Sequence, residues 1–373
     1  MTRPIYLDYQ ATTPLAPQAG RAMQPWLEDR FGNPHSPHRM GREAAAAVEV
    51  ARDQILSCLR RANGRLVFTS GATEAANLAL KGAAWAAGPE RRRIVTLATE
   101  HACVLDSALW LGRNGFETVV LPVGPDGLVD LGQVEEAVTD RTAVVATMLV
   151  NNEIGVIQPV AEIGRIARAV GALFLCDAVQ GLGRVAVPEA DLVPISAHKI
   201  HGPKGVGALW VRDGVALEPL MHGGAQEGGI RSGTLSPALC AGFGAAARLA
   251  EARIDEDSAH VARLWSFAEG RLKGWTINGS TSQRYRGNLN VRAEGLDAAR
   301  LISDVRQVAF SAGSACASGS GRPSHVLKAI GLSDAAARSS IRLGFGRYTT
   351  EEELARALDL ILDAAAAQGL KAA

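Results

Sequence analysis

The chain has 373 residues, of which 47% are hydrophobic and 21% are charged, the balance of an ordinary soluble globular protein rather than a disordered one. Lys and Arg total 39 against 38 Asp and Glu, so the charge balance gives no reason to expect nucleic acid or a membrane surface as a partner. No stretch approaches the ~18 consecutive apolar residues that cross a bilayer. The start of the chain lacks the layout of a secretory signal, so a cytoplasmic location is expected.

Strand-like apolar runs alternate with amphipathic helical patterns, which predicts an α/β domain with a largely parallel sheet. The predicted strands cover residues 65–70, 93–101, 142–150, 172–178, 191–198 and 207–213, and the predicted helices cover 72–87, 129–138 and 160–170. A helical stretch over 236–272 turns from Ala-rich to highly charged and indicates the exit from this domain. We therefore expect a large domain over 15–254 and a smaller α+β domain formed by 1–14 and 255–373.

Polar residues follow several predicted strands, and in open α/β sheets the carboxyl ends of strands form the ligand crevice. Gly71 to Glu74 open a predicted helix after one strand, which suits either a phosphate cradle or a plain N-cap by Ser70 or Thr73. His101, Asp177 and Lys199 end three further strands. Each residue taken alone is more commonly structural, as a satisfied His, a helix N-cap or a surface Lys.

A Lys, an Asp, a His and a phosphate cradle together match the needs of pyridoxal phosphate (PLP). This cofactor takes a Lys for its Schiff base, an Asp for its ring nitrogen and an imidazole or aromatic face over its ring. Competing nucleotide interpretations are weak, because neither G-x-x-x-x-G-K-[ST] nor a G-x-G-x-x-G after a strand occurs. Of the five cysteines, only Cys316 lies in a run of small residues, SAGSACASGSGRPS, where a thiol would be accessible and mobile.

Ten segments spread over the chain match motifs of a known family: YLDYQATTP (6–14), FGNPHS (31–36), SGATEAANLA (70–79), TEHACVLD (99–106), NNEIGVIQP (151–159), DAVQ (177–180), SAHKIHGPKGVGAL (196–209), HGGAQEGGIRSGT (222–234), SAGSACASGS (311–320) and SSIRLGFGRYTT (339–350). In these segments the chain resembles the cysteine desulfurases, in particular the branch of the nitrogen-fixation and housekeeping iron–sulfur enzymes. The resemblance implies the PLP-dependent transferase fold type I, with a seven-stranded sheet in the large domain. It further implies a homodimer that takes sulfur from L-cysteine, leaves L-alanine and holds the sulfur as a persulfide.

Position by position, the resemblance implies that Lys199 binds PLP and moves the Cα proton, that Cys316 accepts the sulfur, and that His101 stacks on the ring. The residues implied to hold the cofactor are Ala72, Thr73, His101, Asn152, Asp177, Gln180, Ser196, His198, Lys199 and Thr234, the last donated across the dimer. Those implied to bind the substrate are Arg342, Asn33 and Asn152. No resident metal is implied, although Cys316 could serve as a transient iron–sulfur ligand.

The expected recipient of the sulfur is an iron–sulfur scaffold or another acceptor protein, and the chain carries no feature that selects between them. Three alternatives stay open. The first is a selenocysteine lyase, the second another PLP enzyme of the same fold such as an aminotransferase, and the third a non-catalytic docking protein. An aminotransferase has no use for an accessible Cys316, and the joint presence of Lys199, Asp177 and His101 speaks against a protein that has lost catalysis.

Overall fold

The computed structural model describes residues 3–312 and 323–369 of the chain. Its strands are β1 (Ile5–Tyr6), β2 (Arg65–Thr69), β3 (Arg93–Leu97), β4 (Glu117–Leu121), β5 (Thr142–Met148), β6 (Leu173–Asp177), β7 (Leu192–Ser196), β8 (Gly207–Val211), β9 (Thr276–Ile277), β10 (Asn288–Arg292), β11 (Val308–Ala309) and β12 (Ser340–Gly344). Its α-helices are α1 (Pro17–Leu27), α2 (Arg39–Cys58), α3 (Ala72–Ala86), α4 (Ala102–Gly112), α5 (Leu131–Ala137), α6 (Val160–Ala169), α7 (Pro237–Ala252), α8 (Ile254–Arg271), α9 (Ala298–Asp304), α10 (His325–Ala329), α11 (Asp334–Arg338) and α12 (Glu351–Ala366). Cys316 lies outside the described residues.

The largest sheet has seven strands in the order β2-β8-β7-β6-β5-β3-β4. Its strands run parallel except for β8, which pairs antiparallel with both β2 and β7. The predicted α/β class with a mainly parallel seven-stranded sheet is confirmed. The edge strand β4 was not among the predicted strands, because its ETVVL sequence is short and two of its five residues are exposed.

The side chains of the large sheet alternate between two apolar cores, as the two-residue period of a strand requires. On β2, Leu66 and Phe68 pack into the core beneath α2, α6 and α7, whereas Val67 packs into the opposite core with α3 and α4. The central strand β5 is buried along its whole length, which is typical of a parallel strand covered by helices on both faces.

The second half of the chain builds a further sheet, with the order β12-β10-β9, and a separate apolar core that includes α8 and α12. Leu7, near the N-terminus, packs into this core, and the adjoining β1 pairs with β11. The predicted helical stretch 236–272 is two helices that meet at Arg253. The division into domains at residue 254 stays a prediction. Over the described parts of the chain, no helix is both long and apolar enough to cross a bilayer.

Candidate active site

A cavity of about 1070 Å³ opens at the carboxyl ends of β6 and β7, where Asp177 and Ser196 lie. This is the edge of a parallel sheet at which ligands bind in open α/β folds. Of the residues predicted from the sequence, those that line this cavity are Ala72, Thr73, His101, Asn152, Asp177, Gln180, Ser196, His198, Lys199 and Arg342. Residues that are scattered over 270 positions of the chain therefore meet at one cavity.

The N-terminus of α3 forms one end of the cavity. Its N-cap is Gly71, which has no side-chain cap, so the simple N-cap by Ser70 or Thr73 is not what the structure has. The N–H groups of the first turn have no helical partner, and the helix dipole adds positive potential there. A Cβ on Gly71 would meet nothing within 4 Å, while one on Gly207 would lie 2.7 Å from the Gly71 carbonyl carbon. Gly207 thus lets β8 approach this turn closely, and the turn suits a phosphate.

His198 lines the same cavity, with its Nδ1 3.1 Å from the hydroxyl of Thr12. Burial, followed by the positive charges of Lys199, Lys204 and Arg184, lowers the pKa of His198 to about 4. The imidazole is consequently neutral at neutral pH and can act as a hydrogen-bond donor or acceptor, but not as a counter-ion.

Asp177 ends β6 and is only 5% exposed. Its Oδ1 accepts a hydrogen bond from the N–H of Val179 at 2.9 Å. Burial raises the pKa of Asp177 to about 6, although that hydrogen bond and the charge of Lys199 act in the opposite direction. A buried carboxylate of this kind is stabilised by a cation beside it, which a protonated pyridine nitrogen would provide.

The Lys199 side chain reaches from the 3-10 turn after β7 toward the N-terminal segment. Its Nζ donates to the carbonyl of Gln10 at 2.5 Å and to that of Ala11 at 2.8 Å. The amine lines the cavity and its charge acts on both Asp177 and His101. A carbonyl group bound between these residues would therefore lie beside the Lys199 amine.

Two amide side chains face the cavity beside Lys199. Gln180 donates from its Nε2 to the carbonyl of Gln10 at 2.9 Å, and its Oε1 accepts from Arg184 Nη1 at 2.5 Å. The buried Oδ1 of Asn152 has no hydrogen-bond partner among the described residues. A buried amide oxygen without a partner costs free energy, and a ligand in the cavity that donates to it would remove this cost.

His101 caps helix α4 and also lines the cavity. Its Nδ1 accepts from the N–H of Cys103 at 3.2 Å, which caps α4, and the ring also lines the cavity. Burial, together with the charges of Lys199 and His325, lowers the pKa of His101. Because Nδ1 accepts a backbone hydrogen bond, a neutral ring carries its proton on Nε2. The Cys103 thiol also lines the cavity, and burial raises its pKa, so this thiol is protonated at neutral pH.

Arg342 on β12 is 1% exposed and contacts the cavity from the side of the smaller sheet. Its Nη1 donates to the carbonyl of Asn152 at 2.9 Å, and its Nη2 is 2.7 Å from Asp8 Oδ1. Nε, by contrast, is buried without a partner in the described residues. Two of its three nitrogens thus hold the guanidinium in place, and Nε is the nitrogen left for an anion.

Two predicted site residues do not line the cavity. Asn33 is exposed, with its Oδ1 accepting from the N–H of His35 at 2.9 Å, and Thr234 is also exposed. Neither is among the residues around the cavity. The prediction for Cys316 falls within 313–322, outside the described residues.

The structure adds cavity residues that the sequence reasoning did not single out. Glu153 and His325 line the cavity, and Ser324 Oγ donates to the Glu153 carboxylate while His325 Nε2 lies 2.9 Å from the Glu100 carbonyl oxygen. These contacts attach the start of α10 to the large sheet. Glu153 belongs to the NNEIGVIQP motif, which follows shortly after β5, and this position was the available signal. His325 had no comparable signal.

The residues fit PLP. The α3 N-terminus suits its phosphate, Asp177 its ring nitrogen, the unpartnered Asn152 Oδ1 a protonated ring substituent, and Lys199 its aldehyde carbon. The family match agrees with this fit: residues 5–357 match the family described as Aminotransferase class-V. The chain belongs to this family of PLP-dependent enzymes, and PLP is its cofactor.

Similar proteins narrow the assignment. Cysteine desulfurase IscS of Rickettsia akari (strain Hartford) is 44% identical over 372 residues, which is 97% of this chain and 91% of the relative. A solved structure titled NifS-like protein has a TM-score of 0.91 and 33% identity, with 97% of this chain and 99% of that chain covered. SspA in complex with cysteine has a TM-score of 0.83 and 36% identity, with coverage of 92% and 99%. Within the class-V family, the chain is a cysteine desulfurase, as the sequence motifs predicted.

Proposed function

We propose that this protein removes sulfur from L-cysteine with Lys199, His101 and Cys316 as its catalytic residues and passes the sulfur on to an acceptor protein. PLP, when bound, supplies an electron sink for the substrate carbon next to the amino group. What supports the proposal is the meeting of the Lys199 amine, the Asp177 carboxylate and the α3 N-terminus at one cavity. That meeting is the single observation on which the assignment of roles depends.

Each end of the cavity would hold one part of the cofactor. Ala72 and Thr73 in the first turn of α3 would bind the phosphate, together with Ser196 and His198, which line the same cavity. The Asp177 carboxylate would keep the ring nitrogen protonated, because a negative charge raises the pKa of an adjacent base. Asn152 and Gln180 would bind the ring oxygen. His101 would stack on the ring.

Lys199 would bind the cofactor and, once the substrate amine displaces it, take the proton from the substrate Cα. The carbonyls of Gln10 and Ala11 accept hydrogen bonds from Nζ and offer a resting position for the displaced amine. His101, whose neutral ring carries its hydrogen on Nε2, is suited to donate a hydrogen bond to a group in the cavity and so to assist proton transfer there.

Arg342 would bind the substrate carboxylate through Nε, its one nitrogen without a partner in the described residues. The bonds from Nη1 to Asn152 and from Nη2 to Asp8 hold the guanidinium plane in place. Asn33 is exposed and does not line the cavity of its own chain. It would assist in binding the substrate carboxylate if the Asn33 of a second copy of the chain reached this cavity.

Cys316 would attack the substrate sulfur as a thiolate, because the neutral thiol is a poor nucleophile. The new S–S bond would form the persulfide as the substrate Cβ–S bond breaks, and the electron pair of that bond would stay on the carbon skeleton, which becomes alanine after protonation. The experiment incubates the purified protein with L-cysteine and measures alanine, and then maps the persulfide by peptide mass. Cys316→Ser should abolish the persulfide, and Lys199→Ala should abolish both products together with the colour of the bound cofactor.

Cys103→Ser is the matched control, since Cys103 is the cysteine among the described residues that lines the cavity, and burial raises the pKa of its thiol. The persulfide should stay on the peptide that contains Cys316 in this variant. Unchanged sulfur release by Cys316→Ser would reject the proposed nucleophile. Alanine formed from selenocysteine but not from cysteine would instead favour a selenocysteine lyase.

The proposal includes a homodimer in which Thr234 would contact the phosphate bound by the partner copy. In its support, Thr234 is exposed, and the segment before it is attached to the first turn of α3 by the pair Arg231–Glu74 at 2.7 Å. The test mixes Lys199→Ala with Thr234→Ala subunits. If the site is shared, only one of the two sites in a mixed dimer carries both changes and the other is intact, so mixing should restore activity.

The acceptor of the sulfur would be an iron–sulfur scaffold or another sulfur-transfer protein in the cytoplasm. Labelled cysteine, candidate acceptors and the purified enzyme would be mixed, and the labelled persulfide located on the acceptor. Sulfur transfer to a scaffold protein, if the substitution Cys316→Ser abolishes that transfer, would support the iron–sulfur pathway. Sulfur transfer only to other acceptors would contradict it.

A further inference from the structure

The Arg184 guanidinium connects the Lys199 main chain to the Gln180 side chain. Nη2 donates to the Lys199 carbonyl oxygen at 2.6 Å, and Nη1 donates to Gln180 Oε1 at 2.5 Å. Gln180 Nε2 and Lys199 Nζ in turn both donate to the carbonyl of Gln10. These four hydrogen bonds form a closed ring in which Arg184 is the only permanently charged member.

This arrangement determines which end of the Gln180 amide faces the cavity. Its Oε1 is used by Arg184, and Nε2 has two hydrogens, of which one goes to Gln10. The second hydrogen of Nε2 is left for the cavity, so Gln180 presents a donor there. A rotated amide would present its oxygen instead and would lose the bond to Arg184.

Arg184 has no carboxylate partner within 4.0 Å among the described residues, unlike Arg342 or Arg212. Its guanidinium lies over the ring of Tyr285, 5.2 Å from the centroid, and burial lowers its pKa. The guanidinium nevertheless stays charged at neutral pH, because an Arg pKa begins above 12. Its charge is therefore not neutralised by an acid and extends to the cavity, where it contributes to the low pKa of His198.

We propose that Arg184 is a positioning residue of the desulfurase reaction: it orients Gln180 as a donor toward the cofactor's ring oxygen and holds a positive charge beside Lys199. This inference rests on the proposed function, since it presupposes that Lys199 carries the cofactor. Both effects act on the Lys199 nitrogen in the same direction. A nearby cation disfavours its protonation, and a donor to the ring oxygen weakens that oxygen as a partner for the proton.

Other charged groups around Lys199 are unchanged by substitution of Arg184. The titratable or charged residues that line the same cavity are Glu74, His101, Cys103, Asp106, Glu153, Asp177, His198, Lys204, His325 and Arg342. Asp177 favours a protonated Lys199 nitrogen, whereas Lys204 and Arg342 disfavour it. Arg184 differs from all of these because it contacts both Lys199 and Gln180 directly.

The test is a pH titration of the visible absorbance of the protein-bound cofactor, which reports protonation of the nitrogen that Lys199 contributes. In Arg184→Met the midpoint should move upward by about one pH unit, because a cation and an oriented donor are both lost. Arg184→Lys keeps the charge but has one nitrogen for two acceptors, so its midpoint should move upward by less. Gln180→Ala should reduce the further effect of Arg184→Met, since contacting residues are not additive.

Arg91→Met is the matched control. The Arg91 guanidinium also donates to two main-chain carbonyls, those of Thr142 and Val170, but at the opposite end of the sheet strands. The midpoint of the absorbance titration of Arg91→Met should equal that of the wild type. Thermal unfolding and the affinity of each cofactor-free variant for PLP are measured alongside.

Equal midpoints in wild type and Arg184→Met would overturn the inference while leaving the proposed function intact. If Arg184→Met does not fold, Arg184→Lys decides, and an unshifted midpoint there overturns the role of Gln180 orientation. A wild-type protein without a cofactor band, or a band that persists in Lys199→Ala, would instead overturn the proposed function itself.

Discussion

Replacement of Asp177 by Asn should stabilise the cofactor-free protein above neutral pH. Burial raises the pKa of this carboxyl from its ordinary value of 3.8 to about 6. Below pH 3.8 both folded and unfolded chains hold the proton, and the residue contributes nothing to pH dependence. As the pH rises, the unfolded chain releases its proton first, so the native state loses stability until both are ionised above about pH 6.

The size of this effect follows from the two pKa values. Each pKa unit corresponds to about 1.4 kcal/mol, so the ionised carboxylate costs the cofactor-free native state about 3 kcal/mol at pH 8 and about half that at pH 5. Asn has no charge to bury, and its Oδ1 can still accept from the Val179 N–H. Asp177→Asn should therefore unfold at a higher urea concentration than wild type, with the larger gain at pH 8.

Urea unfolding of the cofactor-free proteins at pH 5 and pH 8 measures the difference, and Asp191→Asn serves as the control. Asp191 is equally buried but is paired with Arg212 at 2.5 Å and accepts from the Phe174 N–H. Its replacement should lower stability by about 1–3 kcal/mol, because a compensated charge is removed. Lower stability of Asp177→Asn than of wild type at pH 8 would refute the reasoning. With PLP bound, the advantage of Asn should disappear, since the carboxylate then has its cation.

Three further predictions concern the same cavity. Gly207→Ala should lower the free energy of unfolding by about 1–3 kcal/mol and weaken PLP binding, because the new Cβ would lie 2.7 Å from the Gly71 backbone. Urea unfolding measures the change, and an unchanged free energy of unfolding would contradict this close approach. Arg342→Lys should raise the KM for cysteine about tenfold or more, since the planar donor set is lost, and steady-state kinetics with an unchanged KM would exclude Arg342 from substrate binding. The affinity for PLP should not change through protonation of His198 between pH 6 and 8, because the pKa of His198 is about 4. A change in affinity near pH 6.5 that is absent in His198→Asn would show instead that the imidazole becomes charged in this range.

The sequence alone was sufficient to predict six of the seven strands of the large sheet and most of the residues that line the cavity. Apolar runs that end in a polar residue can be read locally, and a parallel sheet brings their carboxyl ends together whatever the loops do. For this reason the sequence predicts that Asp177 and Lys199 meet at one edge of the sheet. The edge strand β4 was not predicted, because a partly exposed edge strand has fewer apolar residues than a strand that is buried on both faces.

Only the tertiary structure decided how the predicted residues are held. The Gln10 carbonyl that receives Lys199 Nζ is 189 positions away in the chain, and Asp8, the partner of Arg342, is 334 positions from it. The connection through Arg184 also needs three segments to be packed together. No local pattern encodes such contacts, because the sequence determines which groups each segment carries, whereas hydrogen-bond partners depend on how distant segments pack against one another.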